Sequence, residues 1–183
     1  MTIEGFDQVL AAARTGAEWA LTTLYRELQP KILRYLSARE PSEAEDLASE
    51  VWLDVAAGLH RFEGSEDGFR AWVFTIARRR VLDLRRRAVV RSAPVSTGAG
   101  GADRGVGNVE DEAMAAIGAR AALASIMRLP PAQADVVLLR VLGDLSVNEV
   151  ATIVGKRPGA VRVLQHRALR NLARILPEEG VTG

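Results

Sequence analysis

Hydrophobic positions recur three and four residues apart along almost the whole chain, the spacing that lays one apolar stripe along a helix of 3.6 residues per turn. The period-two alternation of a half-buried strand is nearly absent. The pattern predicts helices near 5–14, 17–37, 43–61, 67–87, 110–128, 131–142, 147–154 and 158–175. Two starts carry a further signal. Ser42 with Glu45, and Ser146 with Glu149, have capping-box spacing, in which each side chain satisfies an orphan amide of the other.

Between Arg91 and Asn108 the periodicity stops, and positions 98–107 hold five glycines. So little apolar surface cannot offset the entropy of ordering the backbone. The expected fold is therefore all-α: two small helical domains, 1–90 and 110–183, joined by a flexible linker at 91–109. Composition agrees, because 48% of the 183 residues are hydrophobic and only 5% aromatic. A core of Ala, Val, Leu and Ile suits packed helices.

Charge changes the picture more than composition does. Residues 1–69 carry 13 Asp/Glu against 6 Lys/Arg, residues 70–91 carry eight Arg and one Asp, and residues 156–174 carry six Lys/Arg and no acid. Two basic segments in a chain of net charge +1 point to two contacts with a polyanion.

The second basic segment lies in SVNEVATIVGKRPGAVRVLQHRALRNLARI, which has the layout of a helix-turn-helix. A capped short helix is followed by a turn at Gly155 and a helix opened by Pro158, where the missing proline amide leaves no bond unmade. At about 100° per residue, Val161, Leu164, Ala168, Leu172 and Ile175 form the packed stripe. The opposite arc collects Arg162, His166, Arg167, Arg170 and Arg174. Arginine can grip guanine O6 and N7 in a bidentate fork while its neighbours hold phosphates. Lys156, Arg157, Arg162, Val163, His166, Arg167 and Arg170 are the candidate duplex-reading residues. A solvated Arg-rich face on a helix that merely packs is the alternative.

Residues 43–87, EAEDLASEVWLDVAAGLHRFEGSEDGFRAWVFTIARRRVLDLRRR, resemble region two of the extracytoplasmic-function sigma factors of the bacterial sigma-70 family. The family pattern is an acidic D-L-x-Q-E-x-[FW] helix, a short polar loop after an aromatic, then F-R-x-W-[LV]-x-x-I-A-R-N and an Arg cluster. The L-P-P-x-Q sequence and the helix-turn-helix resemble region four. The resemblance implies that Asp46, Leu47, Ser49, Glu50 and Trp52 dock on core RNA polymerase, with Ser49 where the family has Gln. It further implies melting and reading of promoter DNA near −10 by the loop after the acidic helix and the start of the next one. The residues are Phe62, Glu63, Gly64 and Ser65 with Arg70, Arg78, Arg79 and Asp83. Aromatic stacking and Arg along the backbone are the physics such a role needs. Phe69, Trp72 and Ile76 share a helical face and read as core. Arg79 stands where the family commonly has Asn, and Asp83 lies one turn from Arg79 and Arg80, within reach of a pair inside the helix.

The implied function is promoter-specific transcription initiation with core polymerase, through −10 and −35 elements; an anti-sigma factor is an implied partner. A conventional helix-turn-helix regulator acting outside polymerase is the rival, and it leaves the acidic helix and the Arg cluster unexplained. An enzyme is not expected. There is no Cys, His60 and His166 are far apart, and the glycines at 98–107 lack a following Lys-Ser/Thr. No cofactor or metal is expected. No apolar run is long enough to span a bilayer, so the expected location is the cytoplasm, with any membrane attachment through an anti-sigma partner.

Overall fold

The computed structural model describes residues 3–91 and 110–175. They form eight helices and no strand: α1 Phe6–Arg14, α2 Glu18–Arg39, α3 Ala44–Gly58, α4 Glu66–Arg91, α5 Glu110–Met127, α6 Pro131–Val141, α7 Val147–Val154 and α8 Pro158–Ile175. A single 3-10 turn, Leu59–Arg61, follows α3. The expected linker lies outside the described residues except for Arg91, which ends α4.

In the first unit α2, α3 and α4 enclose a core in which Leu24, Ile32, Tyr35, Leu36, Val51, Phe69, Val73, Phe74 and Val81 are almost completely buried. Each such side chain contributes about 1.5–3 kcal/mol relative to exposure. Phe69 and Ile76 are buried as their shared face implied, and Trp72 is half-buried. Close approach of α3 to α4 depends on Gly58, where a Cβ would stand 2.7 Å from the Trp72 ring. Phe62 then stacks on Trp72 with centroids 5.1 Å apart and meets Phe69 edge-on at 5.3 Å. Phe69 in turn lies 5.9 Å from Phe6 of α1.

The second unit packs α8 across α6 and α7 over Val136, Leu138, Leu139, Leu145, Val150, Val161 and Ala168. Of the two expected capping boxes, one forms. Ser146 Oγ accepts from the Glu149 amide at 3.2 Å, and Glu149 accepts from the Ser146 amide at 2.6 Å. Ser42 instead lies within the 41–43 turn, one residue ahead of the N-cap Glu43, where no side chain caps the helix.

The two units are not separate in space. Helix α4 packs against α7 and α2 against α5, and the buried apolar residues of both units belong to one continuous core.

Candidate nucleic-acid interface

Helix α7 ends at Gly155, whose left-handed φ of 67° lets its amide return to the last turn. The chain then turns into α8. Val161 and Ala168 anchor that helix in the core, with Leu164, Leu172 and Ile175 half-buried beside them. Asn171 adds a hydrogen bond to Gln133 of α6 at 2.9 Å.

With that stripe buried, Lys156, Arg157, Arg162, Val163, His166, Arg167, Arg170 and Arg174 are all exposed on the outside of the motif. None of the six cations among them forms an ion pair with another described residue. Arg167, Arg170 and Arg174 border a pocket of about 440 Å³ with Gln133 and Asn171. Such a surface makes no internal use of its charge and is open to a row of phosphates.

The arginines of α4 are placed differently. Arg80 clamps Asp54 of α3, with Nη2–Oδ1 at 2.6 Å and Nε–Oδ2 at 2.8 Å, and donates to Glu50 at 3.0 Å. Arg79 joins Asp54 at 3.0 Å. Hydrogen bonding from Arg80 first, then its charge and Arg79, holds the Asp54 carboxyl below the usual range, and the same pairing raises Arg80. Arg85 pairs with Glu40, and Arg86 with Asp83 at 3.2 Å. Asp83 thus does pair within its helix, but with Arg86 instead of Arg79 or Arg80.

Arg70 and Arg78 are turned toward the second unit. Arg70 is 7% exposed and meets Asp67 at 2.9 Å, Asp144 at 3.3 Å and Glu66 at 3.6 Å. Arg78 reaches Asp135 of α6 and the Ile153 carbonyl at the end of α7, each at 3.4 Å. Of the loop residues, Glu63, Gly64 and Ser65 are exposed, while Phe62 is engaged in the aromatic cluster.

Residues 24–90 match the family Sigma-70 region 2, and residues 119–172 match Sigma-70, region 4. The ECF RNA polymerase sigma factor BldN of Streptomyces coelicolor is 35% identical over 178 residues, covering 94% of this chain and 66% of BldN. SigD of Mycobacterium tuberculosis (strain H37Rv), also an ECF RNA polymerase sigma factor, is 34% identical over 183 residues, covering 94% of this chain and 85% of SigD. The chain belongs to the sigma-70 family, among its extracytoplasmic-function members. Its fold is shared with the sigma factor RpoE from Bartonella quintana, solved with the anti-sigma factor NepR, at a TM-score of 0.61 over 86% of this chain and 98% of that one, with 23% identity.

In this sigma factor the acidic helix α3 presents Asp46 and Ser49 to solvent, while Leu47 is a core residue and Glu50 is paired with Arg80. Trp52 is half-buried, donates to Gln29 at 2.6 Å and lies against Tyr25 at 4.9 Å. Around it opens an apolar groove of about 370 Å³ between α2 and α3, lined by Leu21, Tyr25, Trp52, Val55 and Leu59 among others. Leu21 and Tyr25 of this lining are exposed, as are Trp19 elsewhere on α2 and Leu53 on α3. Sequence reasoning passed over the first three, although a signal was present. On α2 they fall outside the buried stripe of Ala20, Leu24, Leu28, Ile32 and Leu36, and large apolar residues off the packed face of a helix mark an interaction surface.

Proposed function

We propose that the chain binds core RNA polymerase and directs promoter-specific transcription initiation, with region 2 acting at the −10 element and region 4 at −35. The observation that carries this reading is the α8 surface. Its cations have no acidic partner among the described residues, in a chain that matches both sigma-70 regions in order. Relatives of this family are sigma factors, and the chain's part is binding and alignment, with no chemistry of its own. A free-standing helix-turn-helix regulator needs no region 2, so the family match favours the sigma reading over it.

The units are 1–90, a linker at 91–109, and 110–183. The docking side for polymerase is α3 with its neighbour α2: Asp46, Ser49, Glu50 and Trp52 at its face, with Leu47 holding the helix in place. Exposed carboxylates beside an apolar groove suit a helical partner with basic and apolar residues. Phe62, Glu63, Gly64, Ser65, Arg70, Arg78, Arg79 and Asp83 serve the −10 strand. Lys156, Arg157, Arg162, Val163, His166, Arg167 and Arg170 serve the −35 duplex, with Arg162 as the base reader and Arg170 on phosphate. An anti-sigma factor, of the kind solved with RpoE, is the further partner. No described helix is long and apolar enough to cross a membrane, and the site of action is the cytoplasm.

Co-purification tests the reading. The chain is expected to stay with the core polymerase of its own organism at moderate salt, and Asp46→Lys to weaken that association. No association with that core enzyme defeats the proposal.

A further inference from the structure

Helix α8 departs from good helix design at two positions on the face that points away from the core. Taking about 100° per residue from the buried Val161, Gly159 falls at about 160° and Val163 at about 200°, so both lie opposite the packed stripe. They are four residues apart, one turn above the other. On the same projection Arg162 and His166 flank them on one side and Arg167 on the other.

Neither residue serves the fold. Glycine inside a helix is less favourable than alanine, because it gives up more backbone freedom. Gly159 has none of the left-handed φ that suits Gly155 to end α7, and a Cβ placed on it meets nothing within 4 Å. Alanine would therefore fit. Val163 is β-branched, which lowers its helix propensity. It is 49% exposed, and it belongs neither to the core nor to the half-buried layer packed on it. Single exposed aliphatic residues are ordinary, but this one stands a turn from a glycine the fold does not require, among cations that have no acidic partner in the described residues. Local choices that weaken a helix and return nothing in packing mark a functional position.

The chemistry of the face names what it fits. In the major groove thymine alone among the four bases presents a methyl group, at C5, and apolar side chains recognise it. The branched end of Val163 suits that methyl. Bare backbone at Gly159 lets the leading end of α8 come closer to the base edges than any side chain would allow, and the first turn holds no acid to repel phosphates.

We propose that Val163 specifies a thymine in the upstream duplex by packing on its C5-methyl group, and that Gly159 permits the close approach this contact needs. The assignment rests on the reading of α8 as the duplex-reading helix and adds to it an apolar contact beside the Arg162 fork.

The test begins with duplexes enriched from a random library by the full chain bound to core polymerase of its own organism. Thymines in the part that stays duplex are then replaced one at a time by deoxyuridine, which removes only the methyl group. The wild type should lose about fourfold in affinity at one of them, the value of one buried apolar carbon. Val163→Ser should bind the thymine and deoxyuridine duplexes equally at that position while keeping its preferences elsewhere. Gly159→Ala should unfold at the same or a higher temperature, yet bind about tenfold more weakly, the scale on which an extra carbon forced into a closed contact is felt. An enriched element without thymine, no response to deoxyuridine anywhere in it, or wild-type discrimination in Val163→Ser overturns the methyl contact. Wild-type affinity in Gly159→Ala overturns the close approach. If the polymerase-bound chain enriches no duplex at all, the sigma-factor reading itself fails, whereas enrichment that Arg162→Ala abolishes and deoxyuridine leaves untouched preserves that reading and sinks this assignment alone.

Discussion

Helices α4 and α8 are both rich in arginine, and they use it in opposite ways. On α4, Arg70, Arg78, Arg79, Arg80, Arg85 and Arg86 each meet a carboxylate. On α8, Arg162, Arg167, Arg170 and Arg174 meet none among the described residues. Local charge density is similar, yet one surface is already neutralised by its own chain and the other is open. A basic stretch is therefore a candidate polyanion site only after its tertiary partners are counted. Here that count leaves the α8 cations open and the α4 arginines already occupied, among the described residues.

The sharpest way to break the comparison is to strip both helices. Replacing Arg162, Arg167 and Arg170 together by Ala should lower promoter affinity of the polymerase-bound protein by about 100-fold or more, since each good base contact is worth about 1–3 kcal/mol. Thermal unfolding should hardly change, because exposed unpaired side chains alter stability by about 0.5 kcal/mol or less each. A large drop in melting temperature would place these arginines in the fold instead.

The reverse holds for α4. Arg80→Ala should destabilise the protein by about 1–3 kcal/mol, because it removes the clamp on Asp54 and the bond to Glu50. Chemical denaturation compared with Arg170→Ala reads the contrast directly. Equal stability of the two variants would erase the distinction between the helices.

Acid sharpens the same point. The Asp54 carboxyl titrates below its ordinary value because Arg80 holds it, so its contribution is complete above the unfolded value of about 3.9 and disappears as pH falls through the lowered folded one. The stability gap between wild type and Asp54→Asn should be constant near neutral pH and close as pH drops below about 4. A gap independent of pH in that range would mean the pair does not carry the effect.

Much of this was legible in advance. The periodicity located every helix to within a few residues, and Phe69, Ile76, Val161 and Ala168 were assigned to the core from their shared faces. What was not legible lies far apart in sequence. Arg80 and Asp54 are 26 residues apart and Arg78 and Asp135 are 57 apart, so a window count of charge sees the cations without the acids that neutralise them. The loop aromatic Phe62 was placed among the −10 residues by resemblance, and the packing of its ring against Trp72 and Phe69 shows only in the folded chain. The caps show a smaller limit of the same kind: identical S-x-x-E spacing gave a box at Ser146 and none at Ser42, where the turn at 41–43 shifts the helix start by one residue. Ser146→Ala should accordingly cost about 1 kcal/mol and Ser42→Ala close to nothing, measured by thermal melting.

The central claim is that this chain gives polymerase its choice of promoter. Run-off transcription with purified core polymerase, with and without the protein, tests it most directly. Discrete transcripts from defined start sites should appear only when the chain is added, and should be lost when Arg162, Arg167 and Arg170 are removed together. Identical transcript patterns with and without the protein would contradict the account.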